Sequence, residues 1–464
     1  MKLISMTAKR IGLGFMAVAL MGAGGGDNGI SARLVGEAMS DGRAYVIAQS
    51  LADGVGARPA GSPGAARAVQ WAVQQMKTLG FKNVHTEAVK VPHWVRGEAS
   101  AELIAPTTQP LTLTALGPSV PTEGDGLVAD VIEVRSFDEL KSLGDAVKGK
   151  IVLFQHDMKR SHGFEEYGHA VGLRGGGAVA AGKAGAVAAL VRSAGTGNYR
   201  LPHAGAMRYD AAVTKIPTAA LTVEDAELIH RLLATGQKVR MKLKLTSHLE
   251  GEVESANVIG EIPGREKPQE IVLLGAHLDS WDLATGAIDD AAGCAIVMDA
   301  ARIAGAVGRA PKRTLRVVLF MNEEMGLSGA RAYAEKHAGE LGKHVAAIEV
   351  DSGEGRASGF GAVGGPAAVA LLKRLAAPLA TLGAAQVVPT DEAGADLTPL
   401  AGKVPLFSLD QDMQSYFDWH HTAADTFDKI DPQNLAVDTA AVAVVVYGLA
   451  DGNEQLPMST PSRR

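Results

Sequence analysis

Cysteine is nearly absent from this sequence: Cys294 stands alone, so no intrachain disulfide can form. A chain of 464 residues needs none, since that length buries a large apolar core and is expected to divide into two domains. Basic excess is missing too. The formal net charge of −6 speaks against nucleic acid or an anionic membrane surface as partner. No Gly-x-Ser-x-Gly elbow occurs, which disfavours a serine hydrolase. Gly177–Ala184 (GAVAAGKA) falls short of a phosphate-binding loop, because Ala184 stands where a magnesium-binding hydroxyl belongs. A packed helix is the better reading there. Cys294, between Gly293 and Ala295 on an apolar helical pattern, reads as a small buried hydrophobe.

The N-terminal apolar run, Ile11 to Ala23, is too short to span a bilayer comfortably. Lys2, Lys9 and Arg10 precede it and three glycines follow, which is the pattern of a secretory signal peptide at 1–25. No cysteine follows to suggest a lipoprotein, and no Asn-x-Ser/Thr sequon is present. Together these features predict a secreted or periplasmic protein, free of the membrane once the signal is cleaved.

After a polar, helix-compatible stretch from Ile30 to Leu51, Ser62 and Pro63 supply an N-cap and first turn. Val69, Val73, Met76 and Leu79 continue at helical spacing, and Lys82–Val91 alternates like a strand. Residues 92–249 read as a separate α+β module, with short strands at Leu111–Leu116, Leu127–Val134, Lys150–Phe154 and Val239–Leu245, and an Ala/Gly-rich helix at Ala178–Val191. From Ser255 the pattern is α/β. Apolar runs Ile271–Ala276, Leu315–Met321, Val345–Val350 and Val404–Leu409 alternate with helical segments Ala291–Ala304, Ser328–Lys336, Pro366–Leu382 and Pro432–Ala450. This predicts a largely parallel sheet flanked by helices. Residues 26–91 and 250–455 would form that domain, with a polar tail at 456–464.

Chemistry-bearing residues follow each apolar run: His277 and Asp279, then Glu323 and Glu324, then Asp351, then His420 and His421, with Asp289 and Asp290 before a helix. Ligands of open α/β sheets bind beyond the carboxyl ends of the strands, so these groups should converge. Each alone has a plain alternative, such as a core histidine, a solvated turn or a helix cap. As a set they suit a pair of zinc ions, which take imidazole nitrogen and carboxylate oxygen. Asp289 is the candidate bridge between two metals, with His277 and Asp351 completing one site and Glu324 and His421 the other. Glu323 is left as the general base that takes a proton from the attacking water and passes it to the leaving amine.

The segments HLDSWD (277–282), GAIDDAAG (286–293), NEEMG (322–326), DSG (351–353) and HHTAADT (420–426) resemble the co-catalytic zinc aminopeptidase and carboxypeptidase superfamily. Within it the resemblance is to the carboxypeptidase Q (plasma glutamate carboxypeptidase) family. It extends through KVPHWVRGE (90–98), SFDEL (136–140), GKIVLF (149–154) and IPTAALTVEDAE (216–227). The resemblance implies a phosphorylase/hydrolase-like mixed sheet with an inserted protease-associated domain, and a peptide substrate. It further implies two zinc ions per chain, a homodimer, orientation of His277 by Asp279, and a cis Asp289–Asp290 peptide. His420 stands where aminopeptidase relatives often carry a tyrosine, as an oxyanion stabiliser or a packing partner. A dipeptidase or carboxypeptidase acting on free C-termini is the favoured reading. The alternatives are an aminopeptidase of the same superfamily or a non-catalytic binding protein on its scaffold. Residue types near Tyr416, His420 and Thr398 do not say which end of a peptide is held.

Overall fold

The structure, a computed structural model, describes residues 27–353 and 355–456. The expected signal peptide at 1–25 and all of the expected tail beyond Leu456 lie outside the described residues.

The catalytic part is built on an eight-stranded mixed sheet. Its strands lie in the order Lys82–Val95, His248–Ile262, Arg313–Phe320, Lys267–His277, His344–Glu349, Leu406–Gln411, Ala357–Val363, Gln386–Pro389. The expectation of a largely parallel sheet holds only for the centre. There the four strands predicted from the apolar runs lie side by side and mutually parallel, so their carboxyl ends share one edge. Both flanks turn antiparallel. Ala357–Val363 (ASGFGAV) carries no run of branched side chains, and Gln386–Pro389 (QVVP) has only two valines before a proline, which is why strand propensity passes them over.

Ser62 caps its helix as expected: its Oγ accepts the Ala65 amide at 3.1 Å, and the helix runs Pro63–Thr78. The stretch read as one polar segment is two helices, Asp27–Asp41 and Ala44–Ala52. They bury Leu34, Ala38, Ile47, Ala48 and Leu51 in the main core. Asp299, itself fully buried, accepts the amides of Arg43 and Ala44 and so caps the second helix from outside it. Helices Ala292–Ala306 and Pro432–Asp451 share that core. The latter is apolar enough to cross a membrane by composition, but most of its surface is packed inside the protein, which accounts for its apolar character on every side. Helix Ser328–Lys336 covers the opposite face through Ala330, Tyr333 and Ala334.

The inserted part carries its own eight-stranded sheet. The segment expected as one strand at Leu111–Leu116 bends at Thr112 into Gln109–Leu111 and Leu113–Ala115, which pair at opposite ends of that sheet. The helix expected at Ala178–Val191 is also corrected. It runs Glu165–Lys183, and Ala188–Arg192 is a wholly buried strand between Ile151–Phe154 and Thr218–Leu221. Gly185, at φ +83°, turns the chain between them. Alanine and glycine run through both elements, so periodicity alone cannot mark the change. GAVAAGKA therefore sits at the end of a helix, the wrong end for an anion. The two parts are joined by the paired strands Lys82–Val95 and His248–Ile262, whose register includes Pro92 opposite Glu252. Boundaries at 92 and 249 thus cut across a continuous ribbon.

Candidate metal centre

The carboxyl edge of the four parallel strands gathers the sequence-predicted residues. His277 ends its strand with Nε2 at 2.9 Å from Asp289 Oδ1 and 3.4 Å from Asp351 Oδ1. Across Asp289, Oδ2 lies 3.0 Å from His421 Nε2, which is also 3.0 Å from Glu324 Oε2. The two oxygens of Asp289 thus face histidines on opposite sides. The Asp289–Asp290 peptide is cis.

Three overlapping groups bring one donor atom per residue within 4.8 Å of one another: His277, Asp289 and Glu324; Asp289, His420 and His421; His277, Asp290 and Asp351. Asp290 is otherwise committed to structure, since its oxygens accept the amides of His277 at 3.1 Å and Gly293 at 2.9 Å. Asp279 supports two things by different atoms. Its main-chain oxygen lies 3.1 Å from His277 Nδ1, while its carboxylate stands 4.0 Å off. That carboxylate instead accepts the amides of Asn322 at 2.6 Å and Glu323 at 3.1 Å, and so holds the turn that presents Glu323. The orientation of His277 therefore comes from the Asp279 carbonyl rather than its side chain. Cys294 is buried as expected, its Sγ donating to the His277 carbonyl at 3.0 Å.

Glu323 is half-buried beside these donors. Burial pushes its carboxyl well above the usual range; His277 opposes this, and the negative charges of Asp351, Glu324 and Asp289 add to it. Burial likewise raises Glu324 and Asp351. Asp289, although burial acts to raise it, is held well below its ordinary value by His277 and His421. Glu324 Oε1 is buried with no hydrogen-bond donor, and Asp289 Oδ2 has only the ring nitrogens of His420 and His421 beside it. Lone pairs converging without donors, in a pocket crowded with carboxylates, fit a divalent cation.

His420 stacks on His421 with ring centroids 3.6 Å apart, its Nε2 3.3 Å from Asp289 Oδ2. Burial, then the charge of His421, drives it well below its ordinary value, so it stays neutral. Tyr416 is buried with its ring 4.7 Å from that of His420 and forms the wall behind it. Thr398 is exposed, with its Oγ1 turned to the Gly394 carbonyl of its own loop. Trp281, Gly286, Thr422 and Asp425 line a small cleft against Asp289, Glu324 and His421.

Several residues escaped the sequence reading. Arg58 is fully buried and donates to the carbonyls of Leu278, Thr285 and Gly286, tying down the loop between His277 and Asp289. Asp425 Oδ1 accepts the amides of Ala287 and Ile288, both at 2.7 Å, and is pushed up to about 7 by burial and the charge of Asp289. Glu349, raised to about 8 by burial and then by Asp351, lies deeper and accepts the amides of Asp396 and Leu397. From the inserted part, Tyr167 stacks on Phe417 at 4.7 Å and meets the His420 ring edge-on at 5.2 Å. Asp425 had a signal in its place within HHTAADT; the others had none beyond polarity.

Carboxylates and imidazoles at the carboxyl edge of an α/β sheet, with one acid left free, are the outfit of a metal-assisted hydrolase. Comparison with known proteins narrows this class. The chain belongs to peptidase family M28, and it is a peptidase whose donor set is that of a zinc enzyme. The model of peptidase family M28 matches residues 257–446, and that of the PA domain matches residues 100–229, inserted within the catalytic fold. Carboxypeptidase Q of Mus musculus is 38% identical over 90% of this chain and 87% of its own length. The crystal structure of a peptidase M28 precursor from Shewanella amazonensis SB2B superposes with a TM-score of 0.90 at 39% identity, covering 94% of this chain and 99% of that one. A zinc aminopeptidase from Bacillus subtilis shares the fold, with a TM-score of 0.62 at 21% identity over 89% of this chain and 98% of its own.

Proposed function

We propose that this protein is an exported di-zinc exopeptidase that hydrolyses dipeptides or short peptides bearing a free C-terminus. The observation that carries the reading is Asp289, whose two oxygens each face a histidine of a different half-site, with Glu323 free beside Glu324. His277 and Asp351 would hold one ion, Glu324 and His421 the other, and Asp289 both. Zinc, when bound, supplies Lewis-acid polarisation of a carbonyl and makes water more acidic. Glu323 takes the proton of the attacking water and delivers it to the departing amine, a task that suits a carboxyl whose proton affinity burial raises. Asp279 keeps the Glu323 turn in place, and the neutral His420 faces the reacting carbonyl or packs behind it.

Residues 26–91 with 250–455 serve as the catalytic domain and 92–249 as the insertion. The charged, apolar and small-residue order of the first 25 residues supports export to the periplasm or beyond, and the family resemblance supports a homodimer. The C-terminal preference rests on the 38% sequence identity to carboxypeptidase Q of Mus musculus and on His420 in the place of a tyrosine. Metal analysis of purified protein and a panel of free, N-blocked and C-blocked dipeptides test the whole reading. Two zinc ions per chain, loss of activity on chelation with recovery on zinc, and loss of cleavage on C-terminal amidation are expected. Faster cleavage of aminoacyl amides than of free dipeptides would favour the aminopeptidase alternative.

A further inference from the structure

The inserted domain grips His421 through Ala204. Its amide donates to the His421 carbonyl at 2.7 Å, and its own carbonyl lies 3.2 Å from His421 Nδ1. His421 needs this grip from outside. It has φ +61°, a left-handed backbone that a residue with a Cβ adopts at a cost of order 1 kcal/mol or more. An acceptor at Nδ1 places the ring proton there and leaves the Nε2 lone pair aimed at Asp289 and Glu324.

What holds Ala204 is Arg174. It lies seven residues after Tyr167 on the helix Glu165–Lys183, so both project from one face. Arg174 is buried, and its donors go to main-chain carbonyls and a phenol rather than a carboxylate. Nη1 reaches the Ala204 carbonyl at 3.3 Å, Nε the Ala206 carbonyl at 3.2 Å, and both Nη atoms the Tyr167 hydroxyl at 3.3 Å. Between them Gly205, at φ +142°, lies flat against the guanidinium, where a Cβ would stand 2.2 Å from Nη1. A buried charge committed in this way rigidifies the 204–206 segment.

We infer that Arg174 is a positioning residue of the metal centre: through the Ala204 carbonyl it sets the ring orientation and tautomer of His421, making the inserted domain part of the zinc site. This rests on His421 being a zinc ligand. Docking of the two domains does not depend on Arg174, because Arg160 and Thr196 bind Asp418 and the Thr196 amide binds the Phe417 carbonyl.

The test is zinc affinity, measured by chelator competition on metal-stripped wild type, Arg174→Met and Arg174→Lys, alongside the melting temperature of each stripped protein. Partners of metal-bound histidines are worth about 10–100-fold in affinity. Arg174→Met should weaken one of two zinc-binding steps by about 10-fold or more, with the other step and the melting temperature unchanged. Arg174→Lys, which keeps one charged donor, should fall between. Two wild-type affinities in Arg174→Met overturn the inference, as does equal weakening of both steps with a lowered melting temperature. Should Arg174→Met fail to fold, Tyr167→Phe removes a partner of Arg174 and should weaken the same step by a few-fold; no change there overturns the inference equally. Wild type that takes up less than one zinc would sink the di-zinc reading itself, which separates the two failures.

Discussion

The two histidines at the centre of the site are held in opposite ways. His277 turns its Nδ1 to a carbonyl two residues along its own chain, whereas His421 turns the same atom to a carbonyl 217 residues away in the inserted domain. The His277 ring is therefore placed by local geometry at a strand end. The His421 ring has its partner only when two parts of the chain dock. The contrast extends to the backbone, since His277 sits on an extended strand and His421 in a left-handed turn. A metal centre of this design joins the folding of both domains to the assembly of one site.

In the proposed centre Asp289 serves both halves, so removing it should have the largest effect. Asp289→Ala is expected to lose both zinc ions and reduce peptidase activity to the blank; retention of one full equivalent of zinc would show that the halves do not share a ligand. Next in size is Glu323→Gln, which should lower kcat by about 10²–10⁴-fold with zinc content unchanged. Glu324→Gln and Asp351→Asn sharpen the comparison directly. Each should cost roughly one zinc equivalent by metal analysis, and only the Glu324→Gln loss should coincide with the step that Arg174→Met weakens. If Glu323→Gln and Glu324→Gln lose metal alike, the division of roles between these neighbours is wrong.

Smaller effects belong to the fold rather than to either half. Asp438 is buried, accepting the Ala357 amide at 2.7 Å and the Gln411 side chain at 2.9 Å, and burial pushes it up to about 8. Its folded value lies above that of an unfolded aspartate, so the folded state holds the extra proton. Its contribution to stability is complete below about pH 4 and is lost as pH rises toward 8. Asp438→Asn should flatten the decline in melting temperature across that range relative to wild type, a difference in which the carboxyls of the centre, common to both proteins, cancel. The smallest expected change is Ser62→Ala, about 1 kcal/mol of stability through the lost helix cap, with zinc content untouched.

The four central strands were readable because each is a run of apolar residues buried on both faces, and each run ends in residues that carry chemistry. The flanking strand Ala357–Val363 and the buried strand Ala188–Arg192 were not, because small residues carry too little pattern to separate strand from helix or turn. The same limit applies within the site. The places of His277, Glu323, Glu324, Asp351 and His421 after strands, and of Asp289 before a helix, were enough to nominate them. Nothing in the text around Arg58 or Arg174 distinguishes a buried arginine from a solvated one.

By itself, then, the sequence determined which residue types stand at the ends of which strands, and with them the class of chemistry. Apolar periodicity and strand-end position are properties of neighbouring residues, and neighbours are what a sequence displays. Only the tertiary structure decided which atom of Asp279 orients His277, that Asp425 and Arg58 hold the Asp289 loop from either side, and that Ala204 grips His421. Those choices depend on which carbonyl or amide is left within hydrogen-bond reach after distant segments have packed. A buried polar group takes the partner that packing leaves beside it, wherever in the chain that partner lies.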